Sequence, residues 1–287
     1  MNTLGKRWKI DGEALLALPL ALFFLVTFVA PLGILVIISL FRTPQFETFG
    51  LDQYARFFGD PFNLRVLAET LVLGVEVALF CVVLAYPLGL VYLAAGRTAR
   101  TLITFLIMLP LLTSTVVRTF AWIVILGREG IVNASMLALG VWSEPASLLY
   151  TWHGMVLALV QIQLPLMALP VINSLLRVDP NLLSAAEGLG ASRLRVFRTV
   201  VLPLTLPGAI AGGLLVFAAA TAAFITQTLV GGGRIILMPF YIYQQAVGVQ
   251  EWPFAAALSI IFAAAVMAAV TIVGSLASRW MRGVDAA

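Results

Sequence analysis

Six apolar runs dominate this chain, each long enough for a helix to cross a membrane. They cover roughly residues 14–41, 66–95, 102–126, 154–176, 204–230 and 254–281. Crossing a hydrocarbon core of about 30 Å takes about 20 helical residues. In that medium every backbone N–H and C=O must find its partner inside the protein. A helix meets that condition one segment at a time, whereas a membrane barrel would show segments of about ten residues with alternating polarity. The runs therefore predict an all-α polytopic membrane protein with six transmembrane helices, forming a single domain over residues 1–287. Composition agrees, with 62% hydrophobic and 10% charged residues, where a soluble domain has roughly 45–50% and about 25%. Internal prolines (Pro19, Pro31, Pro87, Pro110, Pro165, Pro170, Pro207) predict kinks of the kind that neighbouring helices tolerate.

Lys6, Arg7 and Lys9 precede a first run far longer than the roughly 7–15 residues of a signal-peptide core, so that run reads as an uncleaved first span. Lys and Arg concentrate in the N-terminus, in the 96–101 loop (Arg97, Arg100), in the 177–203 loop (Arg177, Arg193, Arg195, Arg198) and in the tail (Arg279, Arg282). Cytoplasmic loops carry that excess, which predicts both termini and the 177–203 loop on the cytoplasmic side. The net charge of +4 then reflects helix ends at the cytoplasmic face, and no nucleic-acid partner is expected. Cys81, the single cysteine, has no intrachain partner for a disulfide. His153 begins the fourth run and reads as structural. The opposite-side segments 42–65 and 231–253 hold Phe46, Phe49, Tyr54, Phe57, Phe58, Tyr241, Tyr243 and Trp252. These form either an aromatic belt at headgroup level or a platform for an external partner.

The 177–203 loop is the polar anomaly. Asp179-Pro180 reads as an N-cap followed by proline at the first helical position. A short helix with a stripe of Leu182, Leu183, Ala186 and Leu189 follows, and Gly190 fits the left-handed position beyond its end. Ser192 is placed to cap a second helix through Arg193, Arg195 and Arg198 that ends before Pro203. Ser184, Ala185, Ala186 and Gly188 are expected on the outer face, where small side chains admit close approach by a partner.

At these residues the chain resembles the permease subunits of binding-protein-dependent ABC importers. Ala185-Ala186, Gly190 and then Val200, Leu202 and Pro203 match the spacing of that family's cytoplasmic loop. The family places a glutamate where this chain has Ser184; Glu187, three residues on, lies almost on the same helix face. The resemblance spans the whole chain. It is nearest to the spermidine/putrescine type, through Gly50-Leu51-Asp52-Gln53-Tyr54, Val117-Arg118-Thr119-Phe120-Ala121-Trp122 and Glu251-Trp252-Pro253-Phe254. It implies a type I permease bundle in the inner membrane and an ATPase dimer docked on Ser184, Ala185, Ala186, Glu187, Gly190, Leu202 and Pro203. It also implies a second permease, expected to be a different chain, and an external solute-binding protein. No cofactor is expected on this chain, ATP and Mg belonging to the ATPase. The residues agree: a phosphate-binding loop needs a Gly-Lys-Ser/Thr lysine, and the only lysines are Lys6 and Lys9.

Within the spans, Glu69, Glu76 and Arg118 stand out, because each charge costs about 2.5–3.5 kcal/mol at a helix centre on insertion scales. At 1.5 Å per residue, Glu76 lies ~15 Å and Arg118 ~12 Å below the same surface. They are positioned either to pair structurally or to line a passage. The i, i+7 spacing aligns Glu69 with Glu76, and two carboxylates along a passage would attract a cationic amine such as a polyamine. Gln161, Gln163, Thr226 and Gln227 are further candidates, for the pathway or for helix–helix hydrogen bonds. The alternative is an ion-coupled secondary transporter, a class built on inverted repeats; it would leave the 177–203 loop without a purpose.

Overall fold

A computed structural model describes the backbone from Gly12 to Val284 and side chains from residue 18 to residue 279. Lys6, Arg7 and Lys9, with the side chain of Arg282, lie outside the described residues. All regular structure there is helical. The order is α1 (Gly12–Phe24), α2 (Ala30–Ser39), α3 (Asp52–Gly59), α4 (Pro61–Ala94), α5 (Arg97–Leu112), α6 (Thr115–Leu126) and α7 (Ile131–Ala138). Then come α8 (Trp152–Leu175), α9 (Pro180–Gly188), α10 (Arg193–Val196), α11 (Leu202–Thr221), α12 (Phe224–Gly231), α13 (Met238–Tyr243) and α14 (Trp252–Val284). Six segments are long and apolar enough to cross a membrane: Leu18–Ser39, Pro61–Ala94, Thr115–Ala138, Trp152–Leu175, Arg193–Thr221 and Trp252–Arg279.

Two of the expected spans differ from these. The run 102–126 is not one helix: α5 stops at Leu112 and α6 starts at Thr115. Pro110 explains the stop, since its carbonyl accepts from both the backbone N (3.3 Å) and the hydroxyl (2.9 Å) of Thr113. That tight turn closes the helix, and the backbone then runs extended through Thr113 and Ser114. The run 204–230 is likewise divided, at Ala222–Ala223 between α11 and α12. At its other end the helix begins earlier than expected. The arginine arm does not end before Pro203 but continues from α10 into α11 through a π-helical turn at Phe197–Val201. Proline removes one i→i−4 bond and crowds the carbonyl four residues back. The turn before it is widened, closed by Leu202 N–H to the Phe197 carbonyl, which moves the backbone away from the ordinary i→i−4 spacing where the ring would crowd it.

By backbone proximity the chain forms two compact units. One comprises the residues up to Gly59 with Gln244–Ile261. Within it Arg42 bridges Asp52 at 2.7 Å, Gln53 donates to the Arg42 carbonyl at 2.9 Å, and the rings of Phe41 and Phe49 stack. Arg56 meets Glu251 at 3.6 Å and lies over the Phe254 ring. Phe57 is fully buried, so it cannot belong to an external aromatic platform, whereas Phe46, Phe49 and Phe58 are exposed.

The other unit holds Asp60–Tyr243 and the chain from Phe262 onward. Its α4 starts at an Asp60 cap, whose carboxylate accepts from the Phe62 amide, with Pro61 at the first helical position. The α8 start is capped in the same way by Thr151. The core sits where α4, α8 and α11 pack together, around Leu73, Val77, Met155, Leu159, Val171 and Val216. Lipid is as apolar as leucine, so close packing rather than water exclusion holds such helices together. Gly208 shows how close: a Cβ there would run into the Ser174 side chain and the Pro170 carbonyl.

Candidate functional site

The 177–203 segment folds as the sequence indicates at both caps and at the turn. Asp179 Oδ1 accepts from the Asn181 amide at 2.9 Å, and Ser192 Oγ accepts from the Arg195 amide at 3.4 Å. Gly190 adopts φ +81°, with its N–H on the Glu187 carbonyl and the Ala191 N–H on the Ala186 carbonyl. That pair of bonds is a Schellman closure, which glycine enters without a Cβ penalty.

The apolar stripe divides. Leu183 packs against the core, while Leu182 is exposed and Leu189 is 90% exposed. Ala186 is half-buried rather than on the outer face, because it shares the inward side with Leu183 three residues before it. Ser184, Ala185, Glu187 and Gly188 are exposed, and the Ser184 hydroxyl donates to the Pro180 carbonyl at 3.2 Å. The outer surface of α9 is therefore small side chains, one carboxylate and a protruding leucine.

Phe197 and Leu202 tie this segment to the bundle, and Thr205 just beyond it adds a bond. Phe197, in the π-helical turn, meets the Tyr86 ring edge-to-face at 5.7 Å. The Tyr86 hydroxyl shares a 3.0 Å hydrogen bond with Thr205, and Leu202 packs on the core. An aromatic pair of this kind contributes about 0.5–1.5 kcal/mol. Through Phe197 the α10 end of the segment touches α4, and it continues into α11 as helical backbone. The sequence reading missed Tyr86 and Phe197. A usable signal was present, since a tyrosine hydroxyl inside an apolar span needs a partner.

At the opposite end of the bundle, Glu69 and Glu76 line one cleft of about 760 Å³ with Arg65, Tyr150, Trp152 and Arg234. Glu69 is paired with Arg65 at 2.7 Å, and Arg234 lies over the Tyr150 ring at 5.6 Å. Glu76 accepts from Trp152 Nε1 at 2.7 Å and has no cationic partner among the described residues. It does not pair with Arg118. That guanidinium instead reaches the Ile162 carbonyl at 3.3 Å and the Thr115 hydroxyl at 3.2 Å, leaving Nε buried and unbonded.

The remaining polar candidates are dispersed. Gln161 accepts from Trp122 Nε1 at 3.0 Å, a bond between α8 and α6. Gln163 is buried in α8. Gln227 is 1% exposed and donates to the carbonyls of Ala220 (2.8 Å) and Thr221 (3.1 Å) at the end of α11. Thr226 and Thr119 share a 2.9 Å hydrogen bond between α12 and α6. Of these candidates, Glu69 and Glu76 share one cleft.

Residues 82–284 match the family model described as "Binding-protein-dependent transport system inner membrane component". The chain is 36% identical over 212 residues to the spermidine/putrescine transport system permease protein PotB of Escherichia coli (strain K12), a match covering 74% of this chain and 77% of that protein. PotB of Haemophilus influenzae is 33% identical over 210 residues, 73% of each chain. Among solved structures, a bacterial alginate ABC transporter in complex with alginate pentasaccharide-bound periplasmic protein superposes with a TM-score of 0.74 at 19% identity, covering 96% of this chain and 98% of that one. At that identity the likeness speaks for the fold alone.

Proposed function

Because the chain belongs to the binding-protein-dependent transport system inner membrane components, we propose that it helps form the gate through which a small cationic amine of the polyamine type is imported. The coarser role follows from membership itself. The protein is a multi-pass permease subunit of a binding-protein-dependent ABC importer in the inner membrane, with no cofactor of its own and no ATP hydrolysis of its own. Such an importer includes an ATPase, a solute-binding protein and a partner permease. Membership also selects ATP-driven import over the ion-coupled alternative.

The substrate class rests on one observation, the Glu76 carboxylate in the cleft. The Glu69 charge is countered by Arg65, whereas Glu76 is held only by the Trp152 indole N–H. A carboxylate held by a neutral donor has no cation of its own to compete with a passing ammonium group, and the adjoining indole adds a face for cation–π contact. Spermidine/putrescine permeases among the relatives support the same class.

Both termini and the α9–α10 segment face the cytoplasm on this reading, as the distribution of Lys and Arg argues. The exposed face of α9 docks on the ATPase dimer through Ser184, Ala185, Glu187 and Leu189. The partner permease is a different chain. Binding protein docks at the cleft end, and substrate enters past Glu76. In the assembled importer, Glu76→Gln should lower uptake of labelled putrescine or spermidine at least tenfold with normal protein levels and normal ATPase association. Unchanged uptake of both amines would overturn the substrate assignment and leave the permease role intact.

A further inference from the structure

We propose that α5 carries a site for an anionic phospholipid, with the phosphate at Arg97 and Arg100 and an acyl chain along Phe105, Met108 and Leu112. These residues line a groove of about 760 Å³ between the C-terminal end of α4 and the exposed face of α5. Its polarity is graded. The arginines and Tyr92 are at one end, Thr101 and Thr104 follow, and the rest is apolar. Both threonine hydroxyls bond back to carbonyls four residues earlier, so they present methyl groups without unmet polar atoms. From Thr101 to Leu112 is ~16 Å at 1.5 Å per residue, the depth of one leaflet of a ~30 Å core. The groove therefore follows the course of a lipid from headgroup to acyl chain.

Charge identifies the occupant. No carboxylate lines the groove. Arg100 is fixed in place by the Tyr92 and Leu93 carbonyls, at 3.0 and 2.6 Å, and these bonds engage two of its five N–H groups. Arg97 is exposed and has neither a side-chain hydrogen bond nor an ion pair among the described residues. A protein seated here would have to bring acids to meet both arginines, and acidic residues are depleted at interfaces. Every anionic phospholipid carries the matching phosphate, and basic pockets between transmembrane helices bind such headgroups. Ile107 is the one buried residue of α5, with Arg100, Ile103, Thr104 and Pro110 half-buried, and the other residues of the helix meet whatever surrounds this chain.

The test uses the purified importer with all its subunits, titrated in detergent with dioleoyl-phosphatidylglycerol or dioleoyl-phosphatidylcholine. Retained lipid is counted by native mass spectrometry. Phosphatidylglycerol should be retained in preference. Arg97→Gln should weaken it about five-fold, the equivalent of the ~1 kcal/mol expected per arginine near an anionic headgroup. Met108→Trp, which fills the apolar half, should reduce retention of both lipids. Equal retention of the two lipids by the unaltered importer would overturn the site, as would undiminished phosphatidylglycerol binding by both variants. Efficient cross-linking of a Thr104→Cys variant to the partner permease would also overturn it, by showing that protein covers the groove.

Discussion

Gln227 shows how far residue type can be from residue role. In sequence it is a polar side chain in an apolar run, as suited to a passage as Gln161. In the structure it serves the break between α11 and α12, donating both amide hydrogens to carbonyls of the terminating helix. At membrane depth no water is available for those carbonyls, and an unsatisfied group there costs several kcal/mol. The break itself could not be read, because Ala220-Thr221-Ala222-Ala223 contains neither Pro nor Gly. Glu76 is the opposite case: its depth suited either an ion pair with Arg118 or a passage, and the structure gives it the Trp152 indole as partner instead of Arg118. Gln227→Leu should lower stability by about 1–3 kcal/mol, the penalty for stranding the Thr221 carbonyl. That loss is read as a lower unfolding midpoint of the detergent-purified permease. An unchanged midpoint would mean that the Thr221 carbonyl has another partner.

Among the elements, the segment from Asp179 to Pro203 was the most legible, for a physical reason. Caps and left-handed turns depend on one or two residues at fixed positions, so Asp179, Ser192 and Gly190 declare themselves. The π-helical turn before Pro203 did not, since a proline after a run of helix ordinarily signals an end. Whether a helix stops or widens is decided by tertiary contacts such as Phe197 on Tyr86, which no local pattern reports. Gly190→Val would force a β-branched residue to φ +81°, a strain of order 1–3 kcal/mol, and would swing α9 relative to α10. On the docking reading, membrane insertion should be normal, co-purification of the ATPase sharply reduced and uptake abolished. A variant that retains the ATPase and transports normally would contradict it.

For the molecule as a whole, segment length and hydropathy sufficed for six spans, because crossing a bilayer is a constraint each helix meets alone. The third expected run is interrupted at the Pro110 turn and the fifth at the break that Gln227 holds, and the segments that follow them meet: α12 packs on α6 through the Thr119–Thr226 hydrogen bond. Each interrupted helix has a point at which it can bend without losing its own ladder. Alternating access requires such points, because packed helices move as rigid bodies about a few residues that absorb the change. The α6–α12 contact should therefore open and close during transport. A Thr119→Cys, Thr226→Cys pair tests this, since the hydroxyls lie 2.9 Å apart and the one native cysteine, Cys81, is buried. Oxidation should form the cross-link in the resting importer and lower uptake at least tenfold, with recovery on reduction. Full uptake with the cross-link intact would mean that the two segments travel together, and the hinges would have to be sought elsewhere in the bundle.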